Sequence, residues 1–168
     1  MLKLVLSLFL VINPLWPLGP NPKIGDPFII INKKNNSLAF IDEGKIKKIY
    51  KVATGRTDDL TPEGMFDITY KAKFPYFRKK NIPGNDPRNP LGTRWIGFDA
   101  EETDGSIYGI HGNNDPTSIG KYISNGCVRM YTQDVNDLYD QIPFGTKLFI
   151  TKSTKSFEEI AREKGAIK

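Results

Sequence analysis

Ile107-Tyr108-Gly109-Ile110-His111-Gly112-Asn113-Asn114, and then Ser124-Asn125-Gly126-Cys127-Val128-Arg129-Met130, together hold the chain's one histidine and its one cysteine. Residues 107–110 are apolar or aromatic apart from a glycine and read as a strand that delivers His111 into a polar turn. Val128 begins a second apolar run, which places Cys127 at a turn-to-strand junction. Sixteen positions separate the two side chains, enough for a loop that folds back on itself. A thiol becomes a useful nucleophile beside a base or cation, and imidazole is the usual neighbour. The pairing in one Gly/Asn/Ser-rich stretch therefore reads as the active site of a cysteine enzyme set on strand ends.

Strand signals continue on both sides. Phe28-Ile29-Ile30-Ile31-Asn32 is a β-branched run suited to a buried strand. Residues 37–42 and 45–53 flank Glu43-Gly44, a hairpin turn. Met65-Phe66-Asp67-Ile68-Thr69-Tyr70 alternates, and Arg94-Trp95-Ile96-Gly97-Phe98 reads as a further strand. Residues 74–92 carry several prolines and glycines, and a loop of that length suggests a lid or substrate wall, with a plain surface excursion equally open. Two helices are predicted. One is capped by Thr132, with Asp134 in its first turn and Val135, Leu138, Tyr139 and Ile142 on one face, and ends at Pro143 and Gly145. Residues 146–150 then return as a strand. The other helix has the capping-box pair Ser156/Glu159 with Phe157, Ile160 and Ala161 on one side, short enough to dock weakly or fray. The fold class expected is mainly β, with one or two peripheral helices.

With 168 residues, 39% hydrophobic and 26% charged, the chain suits one globular domain with its own core. Its net charge of +5 favours a polyanionic surrounding such as a cell wall or membrane surface. Nucleic acid is disfavoured, because the basic residues are dispersed and no recognition motif accompanies them. One histidine and one cysteine are too few ligands for a zinc site, so no metal or other cofactor is expected. A lone cysteine makes no internal disulfide. Lys3 followed by the apolar residues 4–12, broken by Asn13-Pro14, has the length of a signal-peptide core and is too short to span a bilayer. Residues 1–20 are thus expected to act as an export signal or as an N-terminal anchor giving peripheral membrane association. The bland alternative is an apolar segment docked on the domain.

In the site itself, Gly126 before Cys127 allows strained dihedrals and close substrate approach. The N–H groups of Gly126 and Cys127 are candidates for an oxyanion hole. An imidazolium at His111 is expected to bring the thiol's pKa well below its free value of about 8.5. Arg129, next to the nucleophile, suits a substrate carboxylate, though an ordinary ion pair is equally open.

The stretch Ile110-His111-Gly112-Asn113 … Ser124-Asn125-Gly126-Cys127-Val128-Arg129-Met130 resembles the signature of the L,D-transpeptidase catalytic domain, the YkuD-like family. Val52-Ala53-Thr54-Gly55 with Thr61-Pro62-Glu63-Gly64-Met65-Phe66 resembles a further family segment, as do Leu91-Gly92-Thr93-Arg94-Trp95 and Pro143-Phe144-Gly145-Thr146. The resemblance covers roughly residues 28–151 and leaves 152–168 as a C-terminal helical tail. It implies a mixed β-sandwich and a peptidoglycan substrate. In the family, the cysteine cleaves the bond from an L-centre to D-Ala in a stem tetrapeptide. The acyl group then passes to an amine of a second stem, to a protein lysine, or to water. Carried over, Cys127 is the nucleophile, His111 the general base and acid, and the Gly112 carbonyl the group that orients the imidazole. Gly126 supplies an oxyanion N–H, and Ser124, Arg129, Asn113, Asn125 and Arg94 are candidate substrate contacts. Many relatives have histidine where Asn125 stands, so His111 must carry all proton transfer. No stretch before residue 28 is long enough for a wall-binding repeat domain, so wall affinity is expected from the catalytic domain and its charge. A papain-like peptidase is a weaker reading, because there the cysteine precedes the histidine. A non-catalytic wall-binding module on the same fold is the reading from a different class.

Overall fold

The computed structural model describes residues 22–168; residues 1–20, read as an export signal or anchor, lie outside them. Nine strands form one mixed sheet: β1 (Phe28–Asn32), β2 (Ser37–Asp42), β3 (Lys45–Gly55), β4 (Gly64–Lys73), β5 (Arg94–Phe98), β6 (Tyr108–His111), β7 (Tyr122–Ser124), β8 (Val128–Met130) and β9 (Lys147–Thr151). Their order is β2-β1-β9-β4-β5-β6-β8-β3-β7, and β2 also pairs with β3. That last pairing closes the sheet on itself. The expected mainly β architecture with two peripheral helices is present as one continuous, barrel-like sheet.

Why β1 is apolar at every position follows from its neighbours. Ile29 and Ile31 point into the main core with Leu38, Phe40, Val52, Ile96, Ile110, Val128 and Ile150. Phe28 and Ile30 point the other way, where they meet Ala39, Ile41 and the C-terminal helix α2 (Phe157–Glu163). A strand covered on both faces has no solvent-facing positions and so shows no alternation. Helix α2 is short but docked on the sheet. Phe157, Ile160 and Ala161 are buried, and the Ser156/Glu159 capping box is formed at both bonds. Burial of a Phe or Ile side chain is worth about 1.5–3 kcal/mol, which is what a two-turn helix lacks on its own.

Helix α1 (Thr132–Gln141) differs from expectation at its start: Tyr131 is the N-cap and makes no side-chain cap, and Thr132 is the first helical residue. The helix is held by packing and by its ends instead. Val135 and Leu138 sit in the main core. Lys71 Nζ donates to the carbonyls of Tyr139 and Ile142 at 2.7 and 2.6 Å, placing a cation on the C-terminal carbonyls. Asp137 accepts from Tyr50 Oη at 2.8 Å and from Lys48 Nζ at 2.9 Å, tying the helix to β3.

The three-residue strand β7 escaped the pattern reading, because a period of two is not visible over so few residues, while β8 begins at Val128, where the turn-to-strand junction was expected. β3 lies between them, antiparallel to β8 and parallel to β7. Residues 125–127 therefore arch across the end of β3.

Candidate active site

Register places the two candidate reacting groups on one face. β6 and β8 run parallel with Ile110 opposite Val128 and His111 opposite Arg129. Ile110 and Val128 are fully buried in the core. Side chains alternate along a strand, so His111, Arg129 and Cys127 face away from that core, beside Gly109. The sequence expectation that the His and Cys segments meet is realised through strand pairing.

His111 is 4% exposed, and its Nδ1 donates to the Gly112 carbonyl at 2.6 Å. A carbonyl can only accept, so Nδ1 carries the proton and Nε2 is left as the basic nitrogen of the neutral ring. Burial, reinforced by the Arg129 charge, lowers the imidazole pKa to about 4, against the pull of the Gly112 and Leu91 carbonyls toward the protonated form. Cys127 is also buried enough that its thiol is pushed above the ordinary range, opposed by the Gly109 backbone and the charges of Lys79 and Arg129. Its Sγ donates to the Ile107 carbonyl at 3.4 Å. The resting pair is therefore a neutral thiol and a neutral imidazole. The expected imidazolium-activated thiolate is not the ground state, because desolvation penalises both charged forms.

The turn before Cys127 is built by contacts that the sequence did not announce. Gly126 has φ +129°, and a Cβ there would lie 2.6 Å from the Leu60 carbonyl oxygen. Only glycine fits both the dihedral and the space. Its carbonyl accepts from Thr61 Oγ1 at 2.9 Å, and Thr61 Oγ1 accepts in turn from Gly55 N at 2.9 Å. The segment carrying Thr61 is pinned by Lys33, a lysine only 4% exposed. Its ammonium donates to the carbonyls of Asp58 (2.6 Å) and Thr61 (2.9 Å) and pairs with Glu63 at 3.0 Å.

Several candidate substrate contacts are placed differently from expectation. Ser124 is buried, and its Oγ accepts the Gly126 N–H at 3.1 Å. That donor is thus engaged within the turn and does not face an open oxyanion site. Asn125 is exposed and accepts from Arg56 through Oδ1. Asn113 donates to the Met130 carbonyl, while its Oδ1 is buried without a partner. Arg94 is not in the site. It shares the inward face of β5 with Ile96 and Phe98, stacked between Phe74 and Tyr139 at 5.6 and 5.3 Å. Alternation against its neighbour Trp95, which faces His111, was the available signal. Arg129 is half-buried beside the pair and, among the described residues, has no carboxylate within ion-pair distance.

The 74–92 segment folds back on itself. Phe77 and Ile82 form a bridge, and Asn89 Nδ2 donates to the carbonyls of Pro75 (2.8 Å) and Pro83 (3.0 Å). Asn114 Nδ2 donates to the Arg88 carbonyl at 3.0 Å, joining this segment to the loop after His111. Between them lies a cleft of about 230 Å³ lined by Phe74, Asp86, Asn89, Thr93, Asn113 and Thr132.

A family model described as the L,D-transpeptidase catalytic domain (YkuD) matches residues 26–150. "Putative L,D-transpeptidase YqjB" of Bacillus subtilis (strain 168) is 58% identical over 161 residues, 96% of this chain and 92% of that protein. "Putative L,D-transpeptidase YkuD" of the same strain is 31% identical over 138 residues, covering 78% and 73%. Among solved structures, the L,D-transpeptidase from Mycobacterium smegmatis superposes with a TM-score of 0.57 at 18% identity, over 74% of this chain and 58% of that one. The last likeness speaks to the fold alone, and the chain spans little more than half of that structure's length. The chain belongs to the L,D-transpeptidase catalytic-domain (YkuD) family.

Proposed function

We propose that this protein is an exported L,D-transpeptidase that cleaves the bond between the L-centre of the third residue and D-Ala in a peptidoglycan stem tetrapeptide. The observation that carries this is the placement of the only His and the only Cys on one face of the β6–β8 pair, beside the free guanidinium of Arg129. The Cys127 sulfur attacks the carbonyl while its proton passes to His111 Nε2. His111 then returns that proton to the leaving amine, D-alanine departs, and a thioester on Cys127 remains. An acceptor amine attacks the thioester and gives its proton to His111, restoring the free thiol. Because the Gly126 N–H is held by Ser124, the backbone donor for the oxyanion is the N–H of Cys127 itself. Arg129 suits a stem carboxylate as a bidentate partner. The 74–92 segment, hydrogen-bonded to the loop after His111, acts as the wall or lid of the cleft. Residues 1–20 direct the chain out of the cytoplasm to where the substrate lies, or hold it at the membrane surface.

Intact-mass spectrometry tests this. The protein is incubated with a disaccharide-tetrapeptide, with Cys127→Ala as control. An adduct of the substrate minus D-alanine on the parent protein alone is expected. A folded protein with neither adduct nor D-alanine release would overturn the reading. Adding a second stem separates cross-linked dimer from released tripeptide, the product of water as acceptor.

A further inference from the structure

The hydrogen bond from Nδ1 to the Gly112 carbonyl restrains the imidazole of His111 at its edge. Trp95 packs against the face of the same ring. The two rings lie 5.5 Å apart between centroids and only 11° from parallel. Trp95 stands directly opposite His111 across the β5–β6 ladder, on the face away from the core. It is 6% exposed, and its Nε1–H donates to the Gly105 carbonyl at 2.8 Å. The seat beneath the indole is made by two strand glycines that face each other, Gly97 and Gly109. A Cβ on Gly109 would lie 2.6 Å from the Trp95 ring carbons, and one on Gly97 would lie 2.8 Å from Nε1. Glycine inside a strand usually marks a close approach by another group. At Gly109 that group is the indole, and at Gly97 it is the Gly105 carbonyl that accepts from the indole, at 1.9 Å from where a Cβ would stand.

We propose that Trp95 is a positioning residue for His111: an indole platform, anchored at Gly105 and seated on Gly97 and Gly109, that fixes the imidazole plane on the face shared with Cys127. Any buried indole needs a partner for its N–H, so the feature that sets Trp95 apart from a side chain that merely fills space is the near-parallel stack on the imidazole. The platform also bears on the proton transfer. An indole face attracts positive charge, so the contact favours the imidazolium that forms when His111 takes a proton. The indole N–H bond to Gly105 does not involve the imidazole, so protonation of His111 breaks no contact that holds the indole. The inference rests on the reading of His111 as the base for Cys127.

One histidine in the chain makes the test direct, because the imidazole gives a single set of ring signals in NMR. In the parent protein, Hδ2 and Hε1 should carry a ring-current shift from Trp95, and the ring nitrogens should report the Nδ1–H tautomer. Trp95→Leu should remove the shift, mix tautomers, and lower kcat about 10- to 100-fold with KM changed less than about threefold, as expected for a misplaced catalytic group. Trp95→Phe should keep part of both signatures. Gly109→Ala should reproduce the Leu signature by displacing the indole. A folded Trp95→Leu variant with parent-like ring signals and kcat would overturn the proposal. If that variant does not fold, the same comparison is made on Trp95→Phe and Gly109→Ala. Should the parent protein turn over no stem peptide, the ring signals still decide. Parent-like signals in the variants sink the platform, and altered ones uphold it while the substrate assignment fails.

Discussion

Acidification should unfold this protein partly through its one histidine. His111 is buried with an imidazole pKa of about 4, against the ordinary 6.5. Between those values the unfolded chain takes up a proton that the folded chain refuses, so stability falls as pH falls. The loss begins near the unfolded pKa and is complete below the folded one. At 1.36 kcal/mol per pH unit, moving from about pH 7 to about pH 4 should remove roughly 3 kcal/mol through this group alone. Other groups titrate in the same range, so the measurement is a double difference. Urea unfolding of the parent and of His111→Gln is compared at both pH values, with the m-value checked for constancy. The parent should lose about 3 kcal/mol more than the variant. Equal losses in the two proteins would refute the reasoning, because they would mean that His111 ionises in place without cost. The same low pKa predicts that the acid limb of turnover lies well below that of a free imidazole.

Three further outcomes are expected. Burial raises the Cys127 thiol, so its alkylation by iodoacetamide should be slow near neutrality and should accelerate only at alkaline pH; fast, pH-independent alkylation between about pH 6 and 8 would contradict the neutral resting pair. Gly126→Ala forces a Cβ toward the Leu60 carbonyl at positive φ and should cost about 1–3 kcal/mol together with most activity, and an unchanged Tm would remove the steric account of the turn. Lys33→Met strips two carbonyls and Glu63 of their ammonium and should cost about 1–3 kcal/mol while speeding amide exchange at Leu60 and Thr61. Exchange there at the parent rate would mean that Lys33 does not brace the nucleophile turn.

The parts legible in the sequence were those with local signals. The run 28–32 announces a strand because both its faces are apolar, and Ser156/Glu159 announces a cap because both partners lie three residues apart. His111 and Cys127 stood out because the chain holds no other histidine or cysteine. What stayed hidden depends on contacts across the chain. Nothing near Thr61 signals that its hydroxyl bridges Gly55 and Gly126, and nothing near Lys33 signals that it is buried. Arg94 is itself part of a family-like stretch, 91–95, but strand alternation turns it toward the core. Trp95, one position on, reaches the site that Arg94 does not.

The parallel pairing of β6 with β8 also governs which changes in chain length the site can absorb. His111 and Cys127 share one face because each strand is locked to the sheet by its own buried neighbour, Ile110 or Val128. The stretch from Asn114 to Thr117 is exposed and takes no part in that lock. Residues added or lost there alter the spacing between histidine and cysteine without moving either one. A slip of a single residue in β8 does the opposite: it turns the thiol inward among the isoleucines and puts Val128 in its place. Spacing along the chain is therefore a loose constraint on this active site, while strand parity is a strict one.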